Sequence, residues 1–342
     1  MNKRILAAFL AVLLLLFTLT SCEVPQFITD FISEIFEEEK IGSEKPPMPA
    51  EDSYLEAHFI DVGQADCTLL ICDGEAMLID AGNVDAEKII LPYLEELGID
   101  HLEELGIDHL AATVVTHPHA DHYGGMREVF TEIGTDTFYS PFRSHPSGSF
   151  NSLVNYVYYT LKKEITVPAQ GDFFYLGAAK ITFLGPVHTN YEDLNDTSLV
   201  FRVDYGKVSF LFTGDMESIA EQDLLESNVN LKADVLKVGH HGSYSSSSYR
   251  FLREVMPTYG VIQCGRNNEY GHPHREPLSR FRDAEVVLYR NDLQGHVVCR
   301  SEAGKTLTFT TQMNPNAITN PTAAQNDMSY LPTYLYYEEK FG

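Results

Sequence analysis

Thr116-His117-Pro118-His119-Ala120-Asp121-His122-Tyr123-Gly124-Gly125 sets three histidines and one aspartate within six residues, directly after the apolar run Ala111 to Thr116. The run reads as a buried strand and the histidines as the loop that follows it. His117 and His119 are two apart, so one turn can aim both imidazoles at a single cation. Asp121 and His122 can reach a second cation from the other side of the same turn. Nitrogen and carboxylate donors of this kind suit Zn²⁺, and Mn²⁺ or Fe²⁺ as well. Two divalent metal ions are therefore the expected cofactors.

Outward from this loop the chain alternates strands and helices. His58 to Gly63 is a strand running into a loop, and Cys67 to Cys72 and Ala76 to Asp80 are apolar runs joined by the hairpin signal Asp73-Gly74. Asp85 to Leu97 reads as a helix with Ile89, Ile90, Tyr93, Leu94 and Leu97 on one face, and Gly98 ends it. Later strands are expected at Ile181–Leu184, Ser198–Tyr205, Val208–Thr213, Val235–Val238, Tyr259–Gln263, Glu285–Tyr289 and Thr306–Thr310. Hairpins mixed with crossovers predict an α/β fold with two mixed sheets inside and helices outside. Glu95 to Leu102 recurs without change as Glu103 to Leu110. Eight residues are not a whole number of helical turns, so the second copy cannot continue the same apolar face. A looped-out duplication or one extra short turn is expected.

The motifs resemble the metallo-β-lactamase superfamily, and within it the ComEC-like branch, the hydrolase domain of competence proteins. The resemblance rests on His117 to His122 together with Phe59-Ile60-Asp61-Val62-Gly63-Gln64-Ala65-Asp66, Leu78-Ile79-Asp80-Ala81-Gly82, Phe212-Thr213-Gly214-Asp215, Val238-Gly239-His240-His241-Gly242-Ser243 and Tyr270-Gly271-His272-Pro273-His274. It covers residues 54–311 and implies an αββα sandwich. It also implies that His117 and His119 bind a first metal, that Asp121 and His122 bind a second, and that Asp215 bridges the two. One of His240 and His241 completes the second site and the other faces substrate. The superfamily's further histidine is missing here; Asn195 lies in the corresponding stretch, so the first site is expected to be the weaker. Asp80 is expected to orient a ligating histidine, with Asp61 a similar candidate. His272 and His274 are candidates for protonating a leaving group. Ser243, Arg266 and Asn195 are expected near ligands or substrate.

Paired cations lower the pKa of a shared water and grip the oxygens of a phosphate ester. The function expected is a metal-dependent phosphodiesterase using a hydroxide held by two metal ions, with Asp121, His240, His241 and His272 in catalysis. An amide or ester (lactam or lactone) hydrolase and a non-catalytic binding lipoprotein are the alternatives.

The 342 residues hold 24 Lys+Arg against 49 Asp+Glu, a net charge of −25, so a stable complex with nucleic acid is not expected. Residues 250–305 are the exception, slightly basic, with Arg250, Arg266 and Arg275 near the later histidine motifs. Residues 1–21 carry Lys3 and Arg4, an apolar run too short for a span, and Leu19-Thr20-Ser21-Cys22. That ending resembles the lipobox of bacterial lipoproteins, which implies a signal peptide, lipidation at Cys22 and an extracytoplasmic protein anchored to the membrane. Residues 22–53 read as an acidic, Pro-containing tether with a short amphipathic helix over 27–36, and residues 312–342 as a C-terminal extension with an aromatic patch, Tyr330 to Tyr337. Cys67 and Cys72 are separated by about 16 Å of extended strand, too far for a disulfide. Four buried thiols, those two with Cys264 and Cys299, are expected.

Overall fold

A computed structural model of the chain describes residues 40–99, 107–145 and 148–321. The signal segment with Cys22, the helix expected over 27–36 and the patch at 330–337 lie outside the described residues.

Period-two alternation along the central strands sends successive side chains into two different cores. In β2 (Thr68–Cys72) Leu69 and Ile71 face one core, Leu70 and Cys72 the other; in β3 (Glu75–Ile79) Ala76 and Leu78 part in the same way from Met77 and Ile79. The first core lies under the helices α1 (Glu87–Glu96), α3 (Met126–Glu132) and α4 (Gly148–Asn155). The second is sealed between two sheets. A third lies between the other sheet and the helices α5 (Ser218–Glu226), α6 (Tyr249–Val255) and α7 (Arg275–Asp283). Layer order is therefore αββα, as the alternation of strands and helices predicts.

One sheet has the order β15-β14-β1-β2-β3-β4-β5-β6. Its members are β1 (Tyr54–Phe59), β2, β3, β4 (Leu110–Val114), β5 (Thr135–Tyr139), β6 (Ile165–Thr166), β14 (Val297–Glu302) and β15 (Thr306–Thr311). The other has the order β13-β12-β11-β10-β9-β8-β7. It comprises β7 (Phe173–Leu176), β8 (Ala179–Gly185), β9 (Val200–Tyr205), β10 (Val208–Phe212), β11 (Val235–Lys237), β12 (Tyr259–Ile262) and β13 (Val287–Arg290). β3 to β6 are mutually parallel, as are β10 to β13. Parallel strands bring their carboxyl ends, and the loops that follow, to one edge of each sheet, where α/β folds place their ligands.

The structure adds to and corrects the sequence reading. β5, β7 and β14 belong to the sheets although no strand was expected there. In the first long helix Ile90 and Leu94 are buried, while Ile89, expected on the same face, is 41% exposed. Upstream of β1 a backbone bridge pairs Ile41 with Val229. Residues 312–321 also lie on the domain, with Thr319 and Pro321 carbonyls accepting from Arg290 and Arg282. Cys67, Cys72, Cys264 and Cys299 are buried free thiols, as expected.

The duplicated octapeptide departs from helical geometry after Glu96. Ile99 and its copy Ile107 form a parallel bridge, and both are buried. Residues 100–106 between them lie outside the described residues. Deleting residues 103–110 leaves one copy to link the helix to β4, a connection of ordinary length. The deletion variant should express in soluble form and bind metal with wild-type stoichiometry, at the cost of one buried isoleucine, about 2–5 kcal/mol of stability at most. Soluble expression and metal analysis check this; aggregated or metal-free protein would show that the second copy has become part of the fold.

Candidate metal centre

Four loops at the carboxyl edges of both sheets supply the polar cluster. β3 leads to Asp80, β4 to the loop of His117 and His119, and a four-residue helix, α2 (Ala120–Tyr123), carries Asp121 and His122. From the other sheet β10 leads to Asp215 and β11 to His240 and His241. Glycine is demanded at two points. A Cβ at Gly214 would stand 2.8 Å from Ser198 Oγ and 2.9 Å from Thr116 Cβ; one at Gly124 would stand 2.2 Å from the backbone of Asn83 and Val84. These close approaches let the two loops meet.

Asp80 organises the histidine loop. Its buried carboxylate accepts from Thr116 N at 2.7 Å, Thr116 Oγ1 at 2.8 Å and His122 Nδ1 at 2.8 Å. With Nδ1 donating to Asp80, His122 turns its Nε2 inward. That atom is 3.3 Å from Asp215 Oδ2 and 3.7 Å from Asp121 Oδ2. His241 arrives from the opposite sheet with Nε2 at 3.2 Å from Asp121 Oδ2 and 3.3 Å from Asp215 Oδ2. Asp121, His122, Asp215 and His241 each offer one ligand atom, and these atoms lie within 4.8 Å of one another.

His117 and His119 stand beside this quartet. His117 Nε2 and His119 Nδ1 approach to 3.0 Å, and the His117 ring lies 4.1 Å from that of His122. Among the described residues they do not join a group of three or more ligands. The two sets expected from the loop are thus unequal in the structure.

Backbone conformation separates His240 from His241. Both residues are left-handed, with φ of 47° and 53°, an uncommon conformation for a residue with a Cβ and one found at constrained sites. The turn buries His241 among the carboxylates and leaves His240 partly exposed. His240 Nδ1 is 2.9 Å from Glu217 Oε1, which also accepts from Ser245 Oγ at 2.8 Å, and its Nε2 lies 3.8 Å from Asp215 Oδ2.

Fit to a cation is tested by the buried polar atoms left without partners. Nine such side-chain atoms occur among the described residues, and His122 Nε2, Asp215 Oδ1, Asn195 Oδ1 and Asp66 Oδ1 are four of them around this cleft. Unsatisfied buried acceptors are costly, and divalent cations are what such atoms can hold. Electrostatics agree. Burial opposes charge on His122 and His241, yet Asp215 with Asp80 or Asp66 outweighs it and holds both pKa values well above the usual imidazole range. Burial likewise opposes the Asp215 charge, and His241 and His122 overcome it, so its pKa lies well below the usual range. Protons on the two imidazoles balance the carboxylates; a cation displaces them, so affinity falls as pH falls.

The remaining expected residues divide. His272 is buried beside the cluster, its ring 5.5 Å from that of His240, and accepts from Gln64 Nε2 at its Nδ1. Burial, with the neighbouring His241, lowers its pKa to about 3. It is therefore neutral at pH 7 and offers an Nε2–H, not an imidazolium. His274 accepts from Tyr244 N and packs against His272. Asn195 donates to Glu217 at 3.4 Å. Ser243 Oγ bonds Ser245, and Asp61 accepts from Gly63 N within its own loop. Arg266 is exposed on the loop leading to His272. Arg250 lines a groove of about 530 Å³ with Tyr249, Arg253 and Met256, and no residue of the metal cluster is in that lining. Of the basic face expected over 250–305, Arg280, Arg282, Arg290 and Arg300 are spent on internal carbonyls and carboxylates. Sequence reasoning assigned no role to Glu217, Gln64, Asp66, Lys237 or Gln263. The signals available were Glu217 two residues past Asp215, and Gln64 and Asp66 inside the opening loop.

A family model described as the metallo-beta-lactamase superfamily matches residues 60–266. ComE operon protein 3 of Bacillus subtilis is 28% identical over 275 residues, which is 74% of this chain and 34% of that protein. Recombination protein 2 of Haemophilus influenzae is 30% identical over 70% of this chain and 28% of that protein. Competence protein ComA of Neisseria gonorrhoeae is 31% identical over 69% of this chain and 30% of that protein. The chain spans about a third of the length of these relatives.

Unequal ligand sets predict unequal affinities. Zinc-loaded protein dialysed against a weak chelator should retain about one equivalent, held by Asp121, His122, Asp215 and His241, while the equivalent at His117 and His119 is lost. Metal analysis by mass spectrometry reads this, and two equally retained equivalents would contradict it.

Proposed function

This chain belongs to the metallo-beta-lactamase superfamily, and we propose that it is a metal-dependent phosphodiesterase. The observation that carries the reading is Asp215. It is buried, its Oδ2 lies 3.3 Å from both His122 Nε2 and His241 Nε2, and its Oδ1 has no hydrogen-bond partner. A carboxylate has two oxygens with which it could hold two cations close together. When bound, two divalent cations supply Lewis-acid charge to a phosphate ester and lower the pKa of water.

The chain's own residues do the rest. His117 and His119 would hold the first cation, and Asp121, His122 and His241 the second. Asp80 keeps His122 in the tautomer that presents Nε2. His240, oriented by Glu217 and outside the quartet, would meet the leaving oxygen. His272 offers a neutral Nε2–H to a phosphate oxygen. Asn195, in the stretch where the superfamily has a further histidine, favours this reading over a lactam or lactone hydrolase. The relatives' names, in competence and recombination, agree with it, since the linking bond of nucleic acid is a phosphodiester. A net charge of −25 repels long polyanions, so the substrate proposed is a small phosphodiester rather than a stably bound polymer. Membrane attachment through a lipid on Cys22, outside the cytoplasm, is part of the same proposal. Among the described residues no helix is long and apolar enough to cross a membrane.

Turnover of bis(p-nitrophenyl) phosphate, set against nitrocefin and a lactone with the same metal-loaded sample, tests the reaction class. The phosphodiester should be hydrolysed. Asp215→Asn should lower kcat by about 10³-fold, the order seen when one electrostatic transition-state contact is removed. Hydrolysis of a carbonyl substrate with the phosphodiester untouched would replace this reading by the lactam or lactone hydrolase.

A further inference from the structure

Behind His241 lies a buried ion pair that the proposed chemistry does not use. Lys237 and Asp66 have side chains 3% and 5% exposed, and Lys237 Nζ is 2.6 Å from Asp66 Oδ2. The lysine's other contact is the carbonyl of Val238 at 2.9 Å. Asp66 sits in the loop between β1 and β2, and Lys237 ends β11, so the pair joins the two sheets. Removing a lysine and an aspartate from water costs several kcal/mol for each ion, and a well-packed apolar pair of the same volume often serves stability as well or better. The pair therefore asks for another reason to be here.

Its placement supplies one. His241 Nδ1 donates to the Gln263 carbonyl at 2.9 Å, and Asp66 Oδ1 stands beside the same nitrogen at 3.1 Å. That oxygen has no hydrogen-bond partner of its own. The loop of Asp66 is also tied to the opposite ligand, because Asp66 N donates to the Asp121 carbonyl at 3.2 Å. His122 has a comparable carboxylate in Asp80 at its Nδ1, but among the described residues no lysine pairs with Asp80. The two inward-facing imidazoles are thus backed by carboxylates of different character, one held by Thr116 and one paired with a lysine.

We infer that Asp66 and Lys237 are positioning residues for His241, Asp66 setting the ring's strength as a metal ligand and Lys237 holding that carboxylate against Nδ1. A carboxylate behind an imidazole makes its far nitrogen a better donor, and changing such partners costs 10–100-fold in metal affinity. Lys237 supplies the counter-charge a carboxylate needs at this depth and fixes which oxygen faces the ring. The inference rests on the reading of this cleft as a cation centre.

Two substitutions separate positioning from structure. Lys237→Gln keeps a donor for Asp66 Oδ2 and the Val238 carbonyl and removes only the charge; Lys237→Arg keeps the charge. The full chain, freed of metal, is titrated with Co²⁺ against a competing chelator, and the visible d–d absorption of the tighter equivalent is recorded. Thermal unfolding is followed in parallel with chelator present. Lys237→Gln should unfold as the wild type does yet bind the tighter cobalt about tenfold more weakly, with a changed visible spectrum. Lys237→Arg should stay within threefold and keep the spectrum. A Lys237→Gln affinity within twofold of wild type overturns the inference. Loss of the folded state in that variant with chelator present also overturns it, by assigning the pair to the fold. A wild-type chain that takes up no cobalt would instead sink the cation-centre reading beneath it.

Discussion

One buried carboxylate fixes the architecture of the centre. Asp80 stands at the end of β3 in a left-handed conformation, φ 56°, and its two oxygens satisfy three donors, two from Thr116 and one from His122. Each of those donors, left unpaired at this depth, would cost about 1–3 kcal/mol. The same carboxylate thus ties the end of β3 to the end of β4, sets where the histidine loop begins and decides which nitrogen His122 presents. The His122 distances in the quartet depend on that decision, because Asp215 and Asp121 approach the Nε2 that Asp80 turns inward.

Strain is stored on the opposite side. His240 and His241 both hold positive φ, and the turn is kept by Ser243 N donating to the His240 carbonyl and His240 N to the Gly214 carbonyl. Buried Glu221 supports the stretch that follows by accepting from the backbone of Ser247 and Ser248. Two adjacent imidazoles consequently point to different places, one into the carboxylates and one toward solvent and Glu217. Such a divergence is unavailable to a helix or a strand at consecutive positions without loss of one ring from the site.

Much of this was legible in the sequence because the information is local. His117, His119, Asp121 and His122 occupy one loop, and the hydrophobic alternation around Leu69 to Ile79 is enough to place strands between two cores. β5 and β7 are hidden because their residues, Thr135 to Tyr139 and Phe173 to Leu176, lack a clean apolar alternation, and β14 because polar Ser301 takes an inward position and apolar Val298 an outward one. Ile89 matched the helical period but lies at the margin of the buried stripe, where a few tens of degrees of helix rotation decide exposure. The choice between His240 and His241 depends on backbone dihedrals, which identical neighbouring residues do not reveal. Asp66, Lys237 and Glu217 take their meaning from partners brought near by the fold, and no spacing rule marks a pair joined only in three dimensions.

The ligands come from both halves of the sandwich: Asp121 and His122 follow β4 of one sheet, and Asp215 and His241 follow β10 and β11 of the other. A cation held among them is a further clasp between layers that also meet through the apolar core and through polar links such as Lys237 with Asp66. Its binding free energy is then counted in folding, by RT ln(1 + [L]/Kd), or about 2.7 kcal/mol when free metal exceeds Kd a hundredfold. The durability of the whole domain, far from the cleft as well as within it, is thereby indexed to the metal supply of its surroundings.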